Sequence, residues 1–202
     1  MYMQVVKLEE AGYHAAMTGL ALSYKTSKEN AEVVARKLAS KDGGHNKFLE
    51  SIYVWLSVRA PRYWWQEADT FRLSTKQSES TMHTLVKELQ QIPCPCTLSE
   101  ATNKLTAWVH ANFEEPSVVH PDQSWLLYRM AHDGAPLWEL KSAVPEGFLQ
   151  ERVWCLSYKT LRNIILQRRT HRLPHWQSFI KQVLEQASRP TLLPTLEVEA
   201  DA

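Results

Sequence analysis

The feature that most constrains the fold is an alternating segment over residues 51–59. Its apolar residues Ile52, Val54, Leu56 and Val58 are separated by aromatic, polar or charged ones. Because successive side chains of a strand point to opposite faces, this period of two predicts a β-strand with one buried face. The β-branched and aromatic content of the segment favours the same assignment. We therefore expect a sheet in this protein.

Helical patterns occupy most of the remaining chain. Apolar residues three and four positions apart, together with capping residues and prolines, predict where the helices begin and end. Residues 152–157 are a second strand candidate, and residues 137–150 are irregular or form a short helix. The sequence thus predicts a helix-rich α/β (α+β) fold. The predicted helices cover residues 8–22, 29–41, 61–70, 81–91, 97–112, 121–130, 159–169 and 174–187.

Local signals define several of these boundaries. Ser27 is predicted to be the N-cap of the second helix. Pro93 and Pro95 stop the helix that precedes them, and Thr97 with Glu100 has the spacing of a capping box. The last helix carries large apolar residues at helical spacing from Trp176 onward, and this stripe predicts a core-facing helix rather than a cofactor site.

Length and charge limit the class of protein. We expect one domain over residues 1–188 and a flexible tail over residues 189–202, where prolines and acidic residues replace the apolar pattern. The net charge of +1 gives no overall field that would favour nucleic acid or a membrane. No apolar run approaches about 18 residues and no signal peptide is recognised, so we expect a cytoplasmic protein without a membrane span.

Three cysteines, Cys94, Cys96 and Cys155, are too few and too unevenly spaced for a disulfide framework. They indicate a reducing compartment. A metal site is not expected, because the Cys94–Cys96 pair has neither a second cysteine pair nor closely spaced histidines to complete a ligand set.

The stretch over residues 64–83 concentrates polar chemistry. Its second half is rich in hydroxyl, amide and charged side chains and has no apolar period of either 2 or 3.6. Such a run does not bury itself against a core, but it offers many donors and acceptors to a polar ligand. Two interpretations remain open at this point, a solvated loop between helices and a ligand-binding loop.

Arg168 has an unusual position. Leu161, Ile164 and Ile165 form an apolar stripe on the predicted helix over residues 159–169, and Arg168 is the next residue on that stripe. A core-facing guanidinium needs a carboxylate, phosphate or carbonyl partner. The alternative is that Arg168 lies at the helix end and extends to water.

Arg72 is followed by seven residues and then Ser80, and this spacing resembles the Arg-His-Arg, seven residues, Ser signature of the flavin-dependent thymidylate synthases (ThyX). Four other segments resemble motifs of that family in the same order along the chain. The resemblance covers roughly residues 10–187 and is typical of a divergent branch, of the kind that bacteriophages carry. The four segments are residues 22–27, 44–51, 140–145 and 157–168.

The resemblance implies a ThyX-like fold, with a central, mostly antiparallel sheet flanked by helices. It also implies the transfer of a one-carbon unit, methyl or hydroxymethyl, to C5 of a pyrimidine deoxynucleotide monophosphate. FAD, methylene-tetrahydrofolate and NADPH would take part, and the protein would be a homotetramer in the cytoplasm, which would be the host cytoplasm for a bacteriophage protein. In this chemistry the flavin and folate do the covalent work, while the protein binds and polarises the substrate.

The resemblance also assigns residues. Arg168 and Ser80 are implied as catalytic. The residues implied in nucleotide binding are Gln77, Ser78, Glu79, Ser80, Lys141 and Arg168, and those implied in flavin binding are His45, Ser51, Thr70, Phe71, Arg72, Ser157, His171 and His175.

The sequence departs from the family pattern at several of these positions. Thr70 and Phe71 stand where the family has Arg-His, and Ser51 stands where it has a second histidine. These losses leave open an alternative function, in which the protein keeps the fold and binds a nucleotide but has lost flavin catalysis. Glu79 can accept a hydrogen bond from the exocyclic amine of cytosine, so deoxycytidylate (dCMP) stands beside deoxyuridylate (dUMP) as a candidate substrate.

A third interpretation is a helical protein that binds nucleic acid through a basic face. Six lysines and arginines fall within 152–172, and a phosphate-binding surface has this composition, although charge runs of this kind are more often solvated surface. The six residues are Arg152, Lys159, Arg162, Arg168, Arg169 and Arg172.

Overall fold

The computed structural model describes residues 3–92 and 98–196. Four strands, nine α-helices and three short 3-10 helices occur in these ranges. The described ranges leave out Cys94, Cys96, the helix-stopping prolines 93 and 95 and the predicted capping residue Thr97.

The strands are β1 (Gln4–Ala11), β2 (Tyr53–Pro61), β3 (Ser74–Ser78) and β4 (Leu149–Ser157). The helices are α1 (Tyr13–Tyr24), α2 (Lys28–Ala39), α3 (Arg62–Ala68), α4 (Thr81–Gln91), α5 (Leu98–Asn112), α6 (Pro121–His132), α7 (Leu137–Ala143), α8 (Tyr158–Arg168) and α9 (Pro174–Gln186), with 3-10 turns at Lys47–Ser51, Pro116–Val118 and Pro190–Leu192.

The four strands form one antiparallel sheet in the order β1-β2-β4-β3. Strands β1 and β2 pair antiparallel, with Val5 opposite Val58 and an irregularity in the register between Lys7 and Glu9. The alternation that predicts β2 is confirmed, because Val54, Leu56 and Val58 are all buried. The structure therefore has the helix-rich fold with a central antiparallel sheet that the sequence and the family resemblance predict.

The prediction of a helix from residue 8 is wrong at its start. Residues 4–11 form β1, and helix α1 begins only at Tyr13. Val5 is the only residue of β1 that is buried, and the strand is rich in exposed or half-buried lysine and glutamate. An edge strand of this composition carries almost no apolar alternation, so its pairing with β2 is not visible in the sequence.

The polar stretch that follows Arg72 is predicted as a loop, and part of it is a strand. Residues Ser74–Ser78 form β3 at the other edge of the sheet. Three of its five residues are exposed. Backbone pairing with its neighbour makes this segment a strand, and apolar packing contributes little, which explains why no hydrophobic period marks it.

By its internal contacts the chain divides into two units. In its described part, the first unit comprises residues 60–66 and 78–151 and contains helices α4 to α7. Its core is a cluster of apolar side chains from these helices and the segments between them. The fully or almost fully buried members include Leu85, Leu89, Leu105, Phe113, Leu127 and Leu140.

The second unit comprises residues 3–59, 67–77 and 152–196 in its described part. It contains α1, α2, α8 and α9 with most of the sheet. The stripe on α9 is buried as predicted, with Trp176, Phe179, Ile180 and Val183 inaccessible or almost so. In the segment predicted as a tail, residues Pro190–Leu192 form a 3-10 turn, and Leu192 and Leu193 are buried.

The outer edge of β1 is covered by amide side chains of α9. Gln182 accepts a hydrogen bond from the Val5 backbone N–H (2.9 Å), and Gln186 accepts one from the Lys7 N–H (2.8 Å). The same two side chains donate to the carbonyls of Met3 (3.2 Å) and Val5 (2.9 Å). A primary amide carries both a donor and an acceptor, so each glutamine satisfies a strand edge as a neighbouring strand would.

No helix in the described ranges is long and apolar enough to cross a bilayer.

Gly12 permits the sharp connection between β1 and α1. Its backbone has φ 92°, which L side chains rarely adopt, and a Cβ at this position would collide with the carbonyl oxygen of Ser51. Only a glycine fits, because a side chain would collide with the backbone of Ser51, which cannot turn aside as a flexible side chain could.

We predict that Gly12→Ala lowers the free energy of unfolding by about 2–5 kcal/mol, from left-handed strain plus the backbone collision. Gly19→Ala is the matched control. Gly19 lies within α1, and a methyl group there would have nothing within 4 Å of it, so that change should stabilise by about 0.5–1 kcal/mol. Urea unfolding of both variants measures the difference. Equal stability of the two would contradict the role assigned to Gly12.

Candidate functional site

In the second unit, Arg168 lies against two aromatic rings that contact each other. Its guanidinium carbon is 5.4 Å from the ring centroid of Phe71 and 5.2 Å from that of Trp176. The two rings meet edge to face, with their centroids 5.9 Å apart. A guanidinium over an aromatic face is stabilised by the ring quadrupole, and its planar edge stays free for hydrogen bonds.

The expected carboxylate, phosphate or carbonyl partner of Arg168 does not occur among the described residues. The Nε atom of Arg168 is buried and has no hydrogen-bond partner within them. The side chain as a whole is half-buried. Arg168 therefore neither pairs with a protein anion nor extends fully into water, and the aromatic rings replace the ionic partner that the sequence suggests.

Glu67 ties this cluster together. Its carboxylate accepts a 2.8 Å hydrogen bond from Trp176 Nε1 and lies 3.5 Å from His171 Nε2. The His171 backbone N–H donates to the Arg168 carbonyl at 3.0 Å. Three residues predicted from the sequence, Phe71, Arg168 and His171, are thus brought into one cluster.

Sequence reasoning misses Glu67 and Trp176. It assigns Trp176 to the core, and the ring is indeed inaccessible. The indole N–H nevertheless donates to Glu67, and the ring packs against Arg168. A buried tryptophan needs an acceptor for its N–H. The available signal was Glu67 itself, an acid four residues before Phe71 at the end of a helix rich in aromatic residues.

Strand β3 divides the polar stretch into inner and outer positions. Lys76 points inward, with its Nζ 4.9 Å from the Trp154 ring centroid and 3.7 Å from Asp69 Oδ1. Burial lowers the pKa of Lys76, and the Asp69 carboxylate opposes that shift. Arg152 also holds Asp69, with Nη1 3.1 Å from both of its oxygens. Gln77, in contrast, is exposed and available to a ligand.

In the first unit, Ser78, Glu79 and Ser80 are all exposed. The Glu79 backbone N–H donates to the Glu151 carbonyl at 2.9 Å, and Glu79 Oε2 accepts from the Glu151 N–H at 3.3 Å. Ser80 occupies the N-cap position of α4, yet its side chain makes no capping bond. Its hydroxyl therefore remains available to a ligand.

Lys141 lines a small cavity of about 130 Å³ in the first unit. Thr81, the first residue of α4 after Ser80, and Arg62 line the same cavity. Arg62 is fixed there by a 2.9 Å hydrogen bond from Nη1 to the Val144 carbonyl. The structure thus places two cations beside the start of α4.

His45 and Ser51 line an open groove of about 780 Å³ in the second unit. Its walls come from α1 and from the turn and 3-10 helix over residues 43–51, and Lys47 lies at its border. None of the residues of the Arg168 cluster lines this groove. Cofactor sites are commonly clefts of this size.

Two of the other predicted flavin contacts, Ser157 and Thr70, make hydrogen bonds within the chain. Ser157 is buried and caps α8, since its Oγ accepts the Thr160 N–H at 3.2 Å. The Thr70 hydroxyl donates to the Glu67 carbonyl at 2.7 Å and so closes α3. His175 is buried on α9, whereas Arg72 is exposed.

The six basic residues considered for nucleic acid do not form one open face. Arg152 pairs with Asp69, Lys159 donates to Asn46, Arg162 pairs with Asp42 and Arg168 packs against two aromatic rings. A phosphate-binding face needs cations that point together into solvent.

Within the described ranges, no group of three or more His, Cys, Asp or Glu side chains is arranged to hold a metal ion.

Comparison with solved structures identifies proteins of the same fold. The crystal structure of the flavin-dependent thymidylate synthase ThyX from Helicobacter pylori, complexed with FAD and dUMP, matches with a TM-score of 0.79. The match covers 94% of this chain and 97% of that one, at 13% sequence identity. This chain has the ThyX fold.

A second structure of Helicobacter pylori thymidylate synthase X, with FAD and dUMP, matches with a TM-score of 0.76 and 14% identity over 93% of this chain and 94% of that one. No family model and no curated protein matches the sequence. The expectation of a ThyX-like fold is therefore confirmed by three-dimensional structure, while the sequence has diverged below the level at which sequence comparison detects it.

We predict that Glu67→Ala destabilises the Arg168 cluster by about 1.5–3 kcal/mol, because it leaves the buried Trp176 N–H without its charged acceptor. Glu67→Gln keeps an acceptor oxygen and should cost less. Glu185→Ala, at an exposed position of α9, controls for loss of a surface carboxylate. Thermal unfolding followed by tryptophan fluorescence measures all three. A loss no larger than that of the control would refute this role for Glu67.

Proposed function

We propose that the protein is a thymidylate-synthase-like enzyme that transfers a one-carbon unit to C5 of a pyrimidine deoxynucleotide monophosphate. The observation that carries the proposal is the fold match over nearly the full length of both chains to an enzyme complexed with FAD and dUMP. Methylene-tetrahydrofolate is the proposed donor, NADPH the proposed reductant and a homotetramer the proposed assembly. The direct test is product formation from dUMP and from dCMP with these reagents and purified protein.

Arg168 is the residue that we assign to activation of the pyrimidine. C5 becomes nucleophilic when negative charge develops on a ring carbonyl, and a fixed cation that donates hydrogen bonds lowers the energy of that state. The rings of Phe71 and Trp176 hold the guanidinium plane, and the bond between Glu67 and Trp176 fixes one of these rings. Because no protein anion within the described ranges neutralises Arg168, its charge is available to substrate.

The exposed end of the polar stretch supplies neutral donors and acceptors. We assign the free Ser80 hydroxyl and the Gln77 amide to the nucleotide, together with the cation of Lys141. Glu79 uses Oε2 for the Glu151 N–H, which leaves Oε1 as an acceptor for an exocyclic amine. This arrangement supports dCMP as a substrate beside dUMP, and the relative turnover of the two nucleotides decides between them.

The groove that His45 and Ser51 line has a suitable size and chemistry for a flavin. Its volume of about 780 Å³ and its mixture of apolar, hydroxyl and cationic lining fit a large flat ring system with attached phosphates. Lys47 and His45 can donate to phosphate oxygens, Ser23 and Ser51 offer hydroxyls, and Tyr24 offers an aromatic surface. When bound, the flavin supplies the reducing equivalents of the reaction.

A specific observation also supports a second candidate, a nucleotide-binding protein that has lost flavin catalysis. Thr70 and Phe71 replace a cationic pair of the family, and both are engaged within the chain, Thr70 on the Glu67 carbonyl and Phe71 on Arg168. The purified protein separates the two candidates. Visible absorbance of oxidised flavin favours the enzyme, whereas colourless protein that binds dUMP or dCMP and no added FAD favours the second candidate.

We predict that His45→Ala and Ser51→Ala each weaken FAD binding by about tenfold. Each change removes one hydrogen bond to the flavin, and the loss of one hydrogen bond lowers affinity by about this factor. His110→Ala, at an exposed position on α5 of the first unit, should leave FAD affinity unchanged. Titration of the apoprotein, followed by flavin fluorescence, measures the three affinities. Unchanged binding in both groove variants would remove the groove as the flavin site.

We predict that Arg168→Lys lowers kcat by about 10²–10³-fold, because the point charge of lysine cannot reproduce a planar donor oriented by two aromatic rings. Arg129→Gln, an exposed arginine of α6, should retain full activity. Steady-state assays with dUMP and dCMP provide the comparison. A normal kcat in Arg168→Lys protein would contradict the assigned role.

A further inference from the structure

A separate pocket of about 330 Å³ lies in the second unit, where α2, α8 and the 3-10 turn Pro190–Leu192 come together. None of the residues assigned above to flavin or nucleotide lines it. Three arginines, Arg36, Arg162 and Arg169, do line it, and no acidic residue occurs among its described lining residues. Three guanidinium groups around one cavity repel one another, so an anion is the natural complement of this pocket.

Arg162 is the fixed member of the three. It is only 5% exposed, and two bonds hold its guanidinium, Nη1 to Asp42 Oδ1 at 3.1 Å and Nη2 to the Ser40 carbonyl at 2.7 Å. Its Nε is buried and has no partner among the described residues. A guanidinium has five donors, so these two bonds orient the group and leave donors unused. An unmet buried donor is costly, and an anion that accepts a hydrogen bond from this group offsets that cost.

Asp42 does not neutralise the pocket. Its side chain is 77% exposed, so its interaction with Arg162 is screened by water on one side. Arg36 is an exposed residue of the last turn of α2 and has no ion pair within the described ranges. The pocket therefore keeps a net positive charge.

The remaining lining indicates what kind of anion fits. Hydroxyl groups can donate to further oxygen atoms, and an apolar wall faces them. The volume corresponds to roughly ten water molecules, which is more than a single inorganic anion needs. The hydroxyl residues are Ser40, Thr191 and Thr195, and the apolar ones include Leu166, Leu192 and Pro194.

We propose that this pocket binds a small phosphate monoester, with the phosphate on the arginines and a compact apolar body against the leucines. A phosphate monoester carries about −1.5 to −2 charges and three acceptor oxygens, whereas a carboxylate carries one charge and two oxygens. Three guanidinium groups and three hydroxyls match the phosphate better. The site is distinct from the residues proposed for catalysis, so it stands whether or not the one-carbon chemistry is confirmed.

Calorimetric titration of the full chain at low salt tests the proposal, with phenyl phosphate as the probe and inorganic phosphate and benzoate as comparisons. Phenyl phosphate should bind most tightly, because it alone has both the phosphate and the apolar body. Arg36→Gln and Arg169→Gln should each weaken its binding by about tenfold or more. Arg36→Lys, which keeps the charge but not the fork, should fall between Arg36→Gln and the unaltered protein.

Two controls locate the binding. Arg129→Gln removes an arginine elsewhere on the surface, and Arg168→Lys alters the proposed nucleotide site. Both should bind phenyl phosphate as the unaltered protein does. The thermal midpoint of each variant without ligand confirms that it is folded, and phenyl phosphate should raise the midpoint of every protein except the pocket variants.

Three results would overturn the proposal. These are no saturable heat with phenyl phosphate, benzoate binding as tight as phenyl phosphate, or equal affinity in Arg36→Gln, Arg169→Gln and unaltered protein. Loss of binding in Arg168→Lys alone would show that phenyl phosphate binds at the proposed nucleotide site and would equally exclude this pocket. Tighter binding of inorganic phosphate than of phenyl phosphate would identify a site for the free anion and would contradict the proposal of a phosphate monoester.

Discussion

The outer edge of β1 is the constraint on which the rest of the second unit depends. A strand edge presents backbone donors and acceptors that must find partners, and β1 has too few buried side chains to hold itself in place by packing. Gln182 and Gln186 of α9 supply those partners. Glu10 adds a further link, since its carboxylate accepts from the Tyr158 hydroxyl at 2.9 Å and from the Ser188 N–H at 2.9 Å. Burial, together with this carboxylate, raises the pKa of Tyr158 and keeps its hydroxyl a donor.

In the second unit, aromatic contacts hold Arg168 where the sequence suggests an ionic partner. The rings of Phe71 and Trp176, which meet edge to face, both pack against its guanidinium. Aromatic faces orient a guanidinium without neutralising it. A chain with 13% identity to a ThyX structure can therefore keep the fold and still present a directed cation.

Elements with their own apolar period could be predicted from the sequence. Strand β2, helices α2, α4, α6 and α9 and the Ser27 cap each carry a local signal, and the structure confirms them. The two edge strands carry no such signal, because backbone pairing with distant residues makes them strands. The partner of Arg168 was not predictable for a similar reason. Its rings come from Phe71 and Trp176, and neither residue shows by type or spacing that it faces a cation.

The glutamine-covered edge of β1 also has a consequence for the order of events during synthesis. Residues 4–11 leave the ribosome well before α9, yet their edge is completed by side chains about 177 positions later in the chain. Contacts of such long sequence separation form slowly and late. Until α9 emerges, the nascent β1 carries an open strand edge that can pair with other chains. The interval between synthesis of β1 and of α9 is therefore a period in which this edge is exposed to misassembly.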